Sequence, residues 1–230
     1  TVVPVTALGT FRIGTGFLHR HRLPGALWHP RAPSAPRYAP RAPGNLPTVS
    51  EPVNTPTICL NMIVRNEAHI IREVLDATAP YISSWVIVDT GSQDGTQQVI
   101  RDHMAALAIP GELYERPWHN FGHNRTEALA LADGRSDFIW VMDADDTIVG
   151  TPDFTDLHAD IYEMLILQDV AKVWRPQMFR DGLLARYIGV VHEHVVCDID
   201  PVFARISGDF AIESRRLGGR NLDPLKYARD

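Results

Sequence analysis

Lysine is almost absent from this chain, since Lys172 and Lys226 are the only lysines among its 22 basic residues. Neither lies in a Gly-x-x-x-x-Gly-Lys context, which argues against a P-loop nucleotide-binding site. Cys59 and Cys197 are the only cysteines, so the sequence has no disulfide framework and no four-cysteine zinc site. These absences predict a cytoplasmic protein in which phosphate binding depends on arginine, backbone N–H groups or a metal ion.

Long apolar runs are missing as well. The sequence contains no stretch of about 18 apolar residues and no N-terminal apolar segment followed by a small-residue cleavage site. We therefore expect no transmembrane segment and no classical secretion signal. With 230 residues and 45% hydrophobic content, the chain can still fill the core of one domain of ordinary size.

Charge and proline content divide the chain near residue 56. Residues 1–56 hold ten of the 17 prolines and six arginines against one acidic residue, whereas residues 57–230 hold 16 basic and 27 acidic residues. The first part shows no lasting helix or strand period, which predicts a flexible Pro/Arg-rich arm or linker. No helical face organises its arginines, so a solvated tail is favoured over nucleic-acid binding. Residues 57–230 are the predicted folded domain.

Short apolar runs alternate with amphipathic stretches from Thr57 onward. Apolar runs at 57–64, 85–88 and 138–142 predict strands, as does the segment 111–115 between two helices. Apolar residues spaced by three or four predict helices that end near 78, 107 and 132. Asn66 is the predicted N-cap of the first helix, and Asn124 the start of the third. This alternation predicts right-handed βαβ units in an α/β fold, with a mostly parallel central sheet of Rossmann-like type and helices on both faces.

Polar motifs follow three of these predicted strands. Arg65-Asn66-Glu67 comes after the first strand, Asp89-Thr90-Gly91-Ser92 after the second, and Asp143-Ala144-Asp145-Asp146 after the fourth. Ligands of parallel sheets bind at the carboxyl ends of the strands, so the three motifs are expected to share one rim. Clustered aspartates repel each other unless a cation is bound, and oxygen ligands favour Mg²⁺ or Mn²⁺.

Single motifs also fit other enzyme classes. The segment Asp143-x-Asp145-x-Thr147 after an apolar strand fits the nucleophile motif of haloacid-dehalogenase-like phosphatases, and Asp89-Thr90-Gly91 fits an aspartic protease. The phosphatase fold would open on that strand and would need a lysine facing an acidic pair. The protease would need an all-β lobe, whereas a helix is predicted after Gln93. Neither interpretation explains both motifs together.

Taken jointly, the motifs resemble family 2 glycosyltransferases of the GT-A fold. Residues 59–67 are similar to the first strand and Asn-Glu turn of that family, residues 88–96 to its Asp-x-Gly-Ser-x-Asp-Gly-Thr segment, and Asp143-Ala144-Asp145 to its Asp-x-Asp motif, while Phe121 and Arg125 match the start of its third helix. The resemblance implies sugar transfer, with inversion, from a nucleotide diphosphate sugar, most simply a UDP-sugar. The acceptor would be a protein, peptide or glycan.

The resemblance also implies roles for individual residues, with Mn²⁺ or Mg²⁺ as cofactor. Asp145 would be the main metal ligand, and Asp143 would lie near both the metal and the ribose. The remaining residues implied to contact or frame the nucleotide-sugar are Arg65, Glu67, Asp89 and Arg125, the last one near the diphosphate or bracing the carboxylates. Residues 57–150 would form the nucleotide-sugar half and residues 151–230 the acceptor half.

A His-Glu-His segment stands out in the second half. On an extended strand His192 and His194 would point to one face and Glu193 to the other. The segment resembles the Val-His-Glu element of a bacterial and phage branch of family 2 that includes the sublancin-type peptide glycosyltransferase. His192 or His194 is then a candidate metal ligand, and Glu193 is the first candidate for the base that deprotonates the acceptor. Asp146 is the second candidate.

Two further interpretations remain open from the sequence. A metal-dependent phosphohydrolase would use Asp143 as its nucleophile. A degenerate nucleotide-sugar-binding module would bind the donor without catalysing transfer.

Overall fold

The computed structural model describes residues 55–190 and 193–222. The predicted Pro/Arg-rich arm and His192 lie outside the described residues. Four parallel strands form one half of the main sheet in the order β3-β2-β1-β4. Their bounds are Ile58–Val64 (β1), Ser84–Asp89 (β2), Gly111–Glu115 (β3) and Phe138–Val141 (β4). The predicted strands are thus present within one or two residues at each end.

Helices cover both faces of these strands, as predicted. The helices are α1 (Ile71–Thr78), followed by a 3₁₀ turn over Ala79–Tyr81, then α2 (Thr96–Ala106) and α3 (Phe121–Ala132). Leu60 and Met62 of β1 pack with α1 and α2 in one core cluster. Cys59, which points to the opposite face, packs with Leu129 of α3 in a second cluster. This alternation along β1 is the period of two that a strand buried on both faces requires.

The second half of the chain adds strands that change the character of the sheet. They are β5 (Asp146–Gly150), β6 (Ile161–Gln168), β7 (Ala171–Arg180), β10 (Phe203–Arg205) and β11 (Phe210–Ser214). β7 is antiparallel to β4 and to β6, while β11 is parallel to β6 and antiparallel to β5. Only two residues join β6 to β7, and a connection this short permits an antiparallel hairpin but no parallel crossover. The sheet is therefore mixed, and its parallel part is confined to the first four strands and to the β6, β10 and β11 pairings.

Two small elements lie off the main sheet. β8 (Arg186–Ile188) and β9 (His194–Val196) form an antiparallel pair of their own. The hydroxyl of Thr126 in α3 donates to the backbone oxygens of Gly122 and Tyr187, so this pair is held against α3. The last described helix is α4, over Gly219–Leu222. No helix among the described residues is long and apolar enough to cross a membrane.

The predicted start of two helices was wrong. α1 begins at Ile71 and its N-cap position is Ile70, not Asn66. Asn66 has a φ of 57° and belongs to the turn after β1, where a short polar side chain tolerates the left-handed conformation. α3 begins at Phe121, because the Asn120 side chain caps it by accepting a hydrogen bond from the backbone N–H of His123 at 2.8 Å.

Candidate functional site

The turns that follow β1 and β2 are joined side by side. The backbone N–H of Asn66 donates to Ser92 Oγ at 2.8 Å, and the Asn66 side-chain oxygen accepts from Gln93 N–H at the same distance. The N–H of Glu67 donates to Thr96 Oγ1. Because β1 and β2 are parallel neighbours, their carboxyl ends meet at one edge, and these bonds fix the two turns into a single rim.

A cleft of about 500 Å³ opens at this rim. Its wall comes from the end of β1, the turns after β1, β2 and β4, the start of α3, and α4 with the residue before it. The charged residues that line it are Arg65, Glu67, Arg125, Asp143, Asp145 and Arg220. Trp118 and Phe121 add an aromatic wall, with their rings edge to face and their centroids 4.9 Å apart. Acidic, basic and aromatic groups in one concave site are typical of a ligand-binding cleft.

Arg125 links two of the acidic side chains. Its terminal nitrogen donates to Asp143 Oδ1 at 2.6 Å and its Nε donates to Glu193 Oε1 at 2.8 Å. The Arg125 side chain is only 11% exposed, and the rings of Phe121 and Tyr187 lie 6.0 and 5.8 Å from its guanidinium carbon. The neighbouring carboxylates hold the pKa of this buried arginine above its ordinary value. Arg125 therefore braces Asp143 and Glu193 from inside the protein.

Asp146 occupies a buried position behind the other two aspartates. One of its oxygens accepts from the N–H of Asp143 at 3.1 Å, and the other, Oδ1, has no hydrogen-bond partner in the described part of the chain. Burial raises its pKa well above the ordinary value, and the negative charges of Asp143 and Asp145 raise it further. Three acidic side chains are thus crowded into one turn, and burial with the neighbouring negative charges disfavours the ionised form of Asp146.

A pair of glycines binds two cleft carboxylates with its backbone. The N–H of Gly218 donates to Asp145 Oδ2 at 2.8 Å, and the N–H of Gly219 donates to both carboxylate oxygens of Glu67 at 2.9 and 3.0 Å. A Cβ at residue 219 would lie 2.7 Å from the backbone oxygen of Asn66, closer than such atoms approach. Only glycine permits this contact. Burial nevertheless raises the pKa of Glu67 to about 7, and the nearby Asp145 adds to that effect.

Neighbouring residues anchor this glycine segment. Arg215 donates from Nε to the backbone oxygen of Asp145 at 3.1 Å and pairs with Glu73 of α1 through another guanidinium nitrogen. A ring nitrogen of His69 lies 3.0 Å from the backbone oxygen of Leu217. We call residues 215–221 the glycine strap. The pairing of β11 with β5, in which Ser214 lies opposite Asp146, delivers the strap to the rim.

The residues of the rim fit a divalent ion that shares its coordination with a ligand. Among the residues that the structure describes, no three His, Cys, Asp or Glu side chains converge on a complete metal site. Mg²⁺ and Mn²⁺ bound together with a phosphate ligand need only one or two carboxylates from the protein. Asp143 and Asp145 both line the cleft, and Asp143 is 41% exposed. Their crowding, together with the unpartnered oxygen of Asp146, is the kind of electrostatic strain that a cation relieves.

Three other predicted site residues, Asp89, Glu193 and His194, are not among the residues that line this cleft. Asp89 is 1% exposed and does not line it; one oxygen accepts from Gly91 N–H, Ser92 N–H and Gln97, and the other has no partner within the described residues. Thr90, the next residue, is in the wall. Glu193 is 17% exposed and reaches the rim through Arg125. His194 is exposed on β9, paired with Ile188, and forms no metal cluster with the aspartates.

Some wall residues had no role in the sequence-based prediction. Trp118 precedes α3, and Gly218, Gly219 and Arg220 belong to the strap. A signal for the strap was present, because two adjacent glycines follow shortly after an apolar strand, separated from its two arginines by Leu217. What the sequence did not reveal is that this strand, β11, pairs with β5 and therefore returns the chain to the rim.

Part of the chain is similar to known proteins. A TPR repeat-containing protein of Synechococcus elongatus is 31% identical over 93 residues, which are 40% of this chain and 21% of that protein. The chain thus spans about a fifth of the length of this curated relative.

Solved structures are similar over longer stretches but at lower identity. S. aureus TarS 1–349 in complex with UDP is 15% identical with a TM-score of 0.47, and the match covers 66% of this chain and 61% of that one. A mannosyltransferase from Pyrobaculum calidifontis, solved with GDP-Man and Mn²⁺, is 26% identical with a TM-score of 0.36, and the match covers 40% of this chain and 28% of that one. The family model described as glycosyl transferase family 2 matches residues 59–153, and this segment contains the rim turns after β1, β2 and β4.

Proposed function

We propose that the protein is a metal-dependent glycosyltransferase that moves a sugar, with inversion, from a nucleotide diphosphate sugar to an acceptor. The observation that carries this proposal is the cleft itself. Asp143, Asp145 and Arg125 converge there at the carboxyl ends of parallel strands, within the segment that matches family 2. TarS has been solved with UDP and the Pyrobaculum mannosyltransferase with GDP-Man and Mn²⁺, and a nucleotide-sugar donor is part of the proposal for this chain. We take a UDP-sugar as the first donor to test.

Donor binding is assigned to the rim. Asp143 and Asp145 would hold the divalent ion, which supplies positive charge to the diphosphate as the bond to the sugar breaks. Arg65 and Glu67 stand at the end of β1 and would frame the nucleotide. Asp89 acts on the donor indirectly in this proposal, because its carboxylate orders the Gly91–Ser92 turn beside Thr90 in the wall.

Glu193 is the proposed base. A base must reach the acceptor hydroxyl or thiol, so its carboxylate must be accessible. Glu193 keeps one oxygen beyond the bond to Arg125 and is 17% exposed, whereas Asp146 is 3% exposed and has its carboxylate beneath the Asp143 turn. The hydrogen bond from Arg125 Nε orients Glu193. The further similarity to the sublancin-type branch also rests on this segment and stays part of the proposal.

The geometry of the cleft does not favour a phosphohydrolase. A haloacid-dehalogenase-like phosphohydrolase needs Asp143 free for nucleophilic attack, but Asp143 Oδ1 is bound by Arg125. It also needs a lysine near the acidic pair, and Lys172 lies on β7, outside the residues that line the cleft. A degenerate binding module would share the cleft and differs from an enzyme only in turnover.

Binding and turnover together test the proposal. We expect UDP-sugars to raise the melting temperature by several degrees when Mn²⁺ is present and far less when it is absent, because a ligand of the folded state stabilises it by mass action. Wild-type protein should then release UDP slowly from its preferred donor even without an acceptor. Binding without any release would favour the degenerate module, and no binding of any nucleotide-sugar would refute the proposal.

Asp145→Asn is the matched variant. The asparagine oxygen can still accept from Gly218 N–H, so the strap stays in place while one negative charge is lost. We expect Mn²⁺-dependent donor hydrolysis to fall by at least a hundredfold with an unchanged melting temperature in the absence of ligand. Asp102→Asn, an exposed site on α2 where the carboxylate accepts only from Gln98, serves as the control and should retain wild-type turnover.

A further inference from the structure

One edge of the β8–β9 pair is occupied by α3. The N–H of Tyr187 donates to Thr126 Oγ1 at 2.9 Å, and the Tyr187 backbone oxygen lies 3.2 Å from the same hydroxyl. Two residues further along the chain, the backbone oxygen of Gly189 accepts from the N–H of Gly122 at 3.1 Å. A Cβ at residue 122 would lie 2.5 Å from that oxygen, so the contact requires glycine. α3 therefore takes the place of a neighbouring strand along β8.

The opposite edge of the pair runs along β9. Tyr187 lies opposite Val195 in the register of the two strands. In an antiparallel pair, two opposed residues either exchange both backbone hydrogen bonds or direct these groups outward. Because the N–H of Tyr187 is bound to α3, the N–H and C=O of Val195 point away from β8. Among the residues that the structure describes, no other strand pairs with β9, so a further strand can be added there.

The side chains of β9 alternate between two faces, and this alternation includes Glu193. Val195 and Cys197 pack against the second core cluster. Glu193 turns to the same side, where it accepts a hydrogen bond from Arg125, whereas His194 is exposed on the other face. The period of two continues from β9 to Glu193, so the backbone groups of Glu193 point outward like those of Val195. We call residues 193–197 the β9 edge.

A strand added to the β9 edge would bring one of its side chains to the candidate base. Directly opposed residues of neighbouring strands have Cβ atoms about 5 Å apart and point to the same face of the sheet. The residue opposite Glu193 would therefore direct its side chain to the face on which the Glu193 carboxylate lies. A serine, threonine or cysteine at that position would bring its hydroxyl or thiol within reach of the carboxylate.

We propose that the β9 edge binds an extended polypeptide segment as a third strand, and that this segment is the acceptor. The edge specifies a polypeptide because it presents an N–H and a C=O at every second residue, which an extended backbone matches and a glycan does not. The assignment rests on the proposed function, since it uses Glu193 as the base. In transfer, the acceptor oxygen or sulfur forms a bond to the anomeric carbon, its proton passes to Glu193, and the diphosphate leaves with the electron pair of the broken bond.

Amide hydrogen exchange measured by NMR tests the docking site. The probe is a pool of octapeptides randomised around a central serine, threonine or cysteine, from which the peptides that accept sugar from a UDP-sugar are identified by mass spectrometry and resynthesised. A saturating peptide should slow exchange at Val195 at least tenfold, because its N–H gains a partner. Exchange at His194 and Val196 should stay within twofold, since these residues are already paired with β8. Equal slowing at all three residues would overturn the proposal, because it would report a tighter hairpin rather than an added strand.

Backbone N-methylation of a selected peptide supplies a control that leaves the protein unchanged. Only every second N–H of an added strand faces β9, so single methyl groups should raise the KM of the peptide about tenfold at alternate positions and by less than twofold at the positions between them. Val195→Pro removes the outward N–H and should raise this KM more than Val195→Ala, which loses packing but keeps the N–H. Methylation effects that do not alternate along the peptide would overturn the proposal.

The remaining outcomes separate this proposal from the proposed function. Release of UDP from the donor without sugar on any peptide of the pool would overturn the peptide acceptor and leave the glycosyltransferase standing. Slow exchange at Val195 that needs no peptide and strengthens with protein concentration would assign the β9 edge to a second copy of the chain and overturn its role in acceptor binding. Alternating protection by the unselected pool, in a protein that neither binds nor turns over a nucleotide-sugar, would refute the proposed function and leave the docking site standing.

Discussion

Replacing Arg125 with methionine tests how much of the stability of this domain depends on one buried cation. The change keeps a long side chain against Phe121 and Tyr187 and removes both ionic hydrogen bonds. Each such bond contributes about 1.5–3 kcal/mol when buried. Asp143 is 41% exposed and can turn to water, so we discount its share strongly, whereas Glu193 is 17% exposed and loses its partner in a mostly buried site. We expect the free energy of unfolding to fall by about 3 kcal/mol.

Urea unfolding followed by tryptophan fluorescence measures this loss directly. A change of about 3 kcal/mol corresponds to roughly 6–12 °C in melting temperature for a domain of this size. Arg116→Met is the matched control. Arg116, like Arg125, donates from Nε to a glutamate, but both Arg116 and its partner Glu127 are about one-third exposed. Its cost should stay below about 1 kcal/mol. Equal effects of the two variants, or a loss under 1 kcal/mol for Arg125→Met, would refute the inference that Arg125 braces the rim.

Two further predictions concern the ends of other elements. Glu67 has a pKa raised to about 7 in the folded protein, against an ordinary value of 4.5. Between these two pH values the folded state binds a proton that the unfolded state has released, so the contribution of Glu67 to stability falls as the pH rises through about 7. Relative to Glu67→Gln, the wild type should lose about 1–3 kcal/mol of unfolding free energy between pH 5 and pH 8 in EDTA, and a constant difference between the two proteins would contradict this. Asn120→Ala removes the N-cap of α3 and should lower the free energy of unfolding in urea by about 1 kcal/mol. Asn120→Asp should retain most of the wild-type stability. An unchanged urea midpoint for Asn120→Ala would contradict the role of Asn120 as a cap.

The βα half of the fold could be predicted because its signals are local. β1 is apolar at every position except Asn61 because both of its faces are covered, and α1 shows a clear amphipathic stripe. The rim followed from these elements, because the carboxyl ends of parallel neighbours meet at one edge. The prediction that Asn66 caps α1 was wrong. Asparagine is typical of N-caps, but Asn66 has a left-handed backbone conformation, and its N–H binds Ser92 in the turn after β2.

The second half of the sheet and the glycine strap depend on pairings between residues distant in the sequence, which no local pattern encodes. β11 is five residues long and finds its place between β6 and β5 only through long-range packing. The roles of Gly218 and Gly219 follow from that pairing, and so does the position of Arg220. Asp146 illustrates the same difficulty within a correctly predicted motif, because adjacency to Asp145 in the sequence did not reveal that its carboxylate is buried.

The close approach of the strap couples two distant parts of the chain. A Cβ at residue 218 would lie 3.2 Å from Glu67 Oε1 and 3.3 Å from Asp145 Oδ2, so a larger residue there requires one of these side chains to shift by a few tenths of an ångström. Both side chains line the cleft. A substitution at residue 218 therefore changes the shape of the cleft, although this glycine lies far along the chain from the motifs that follow β1 and β4.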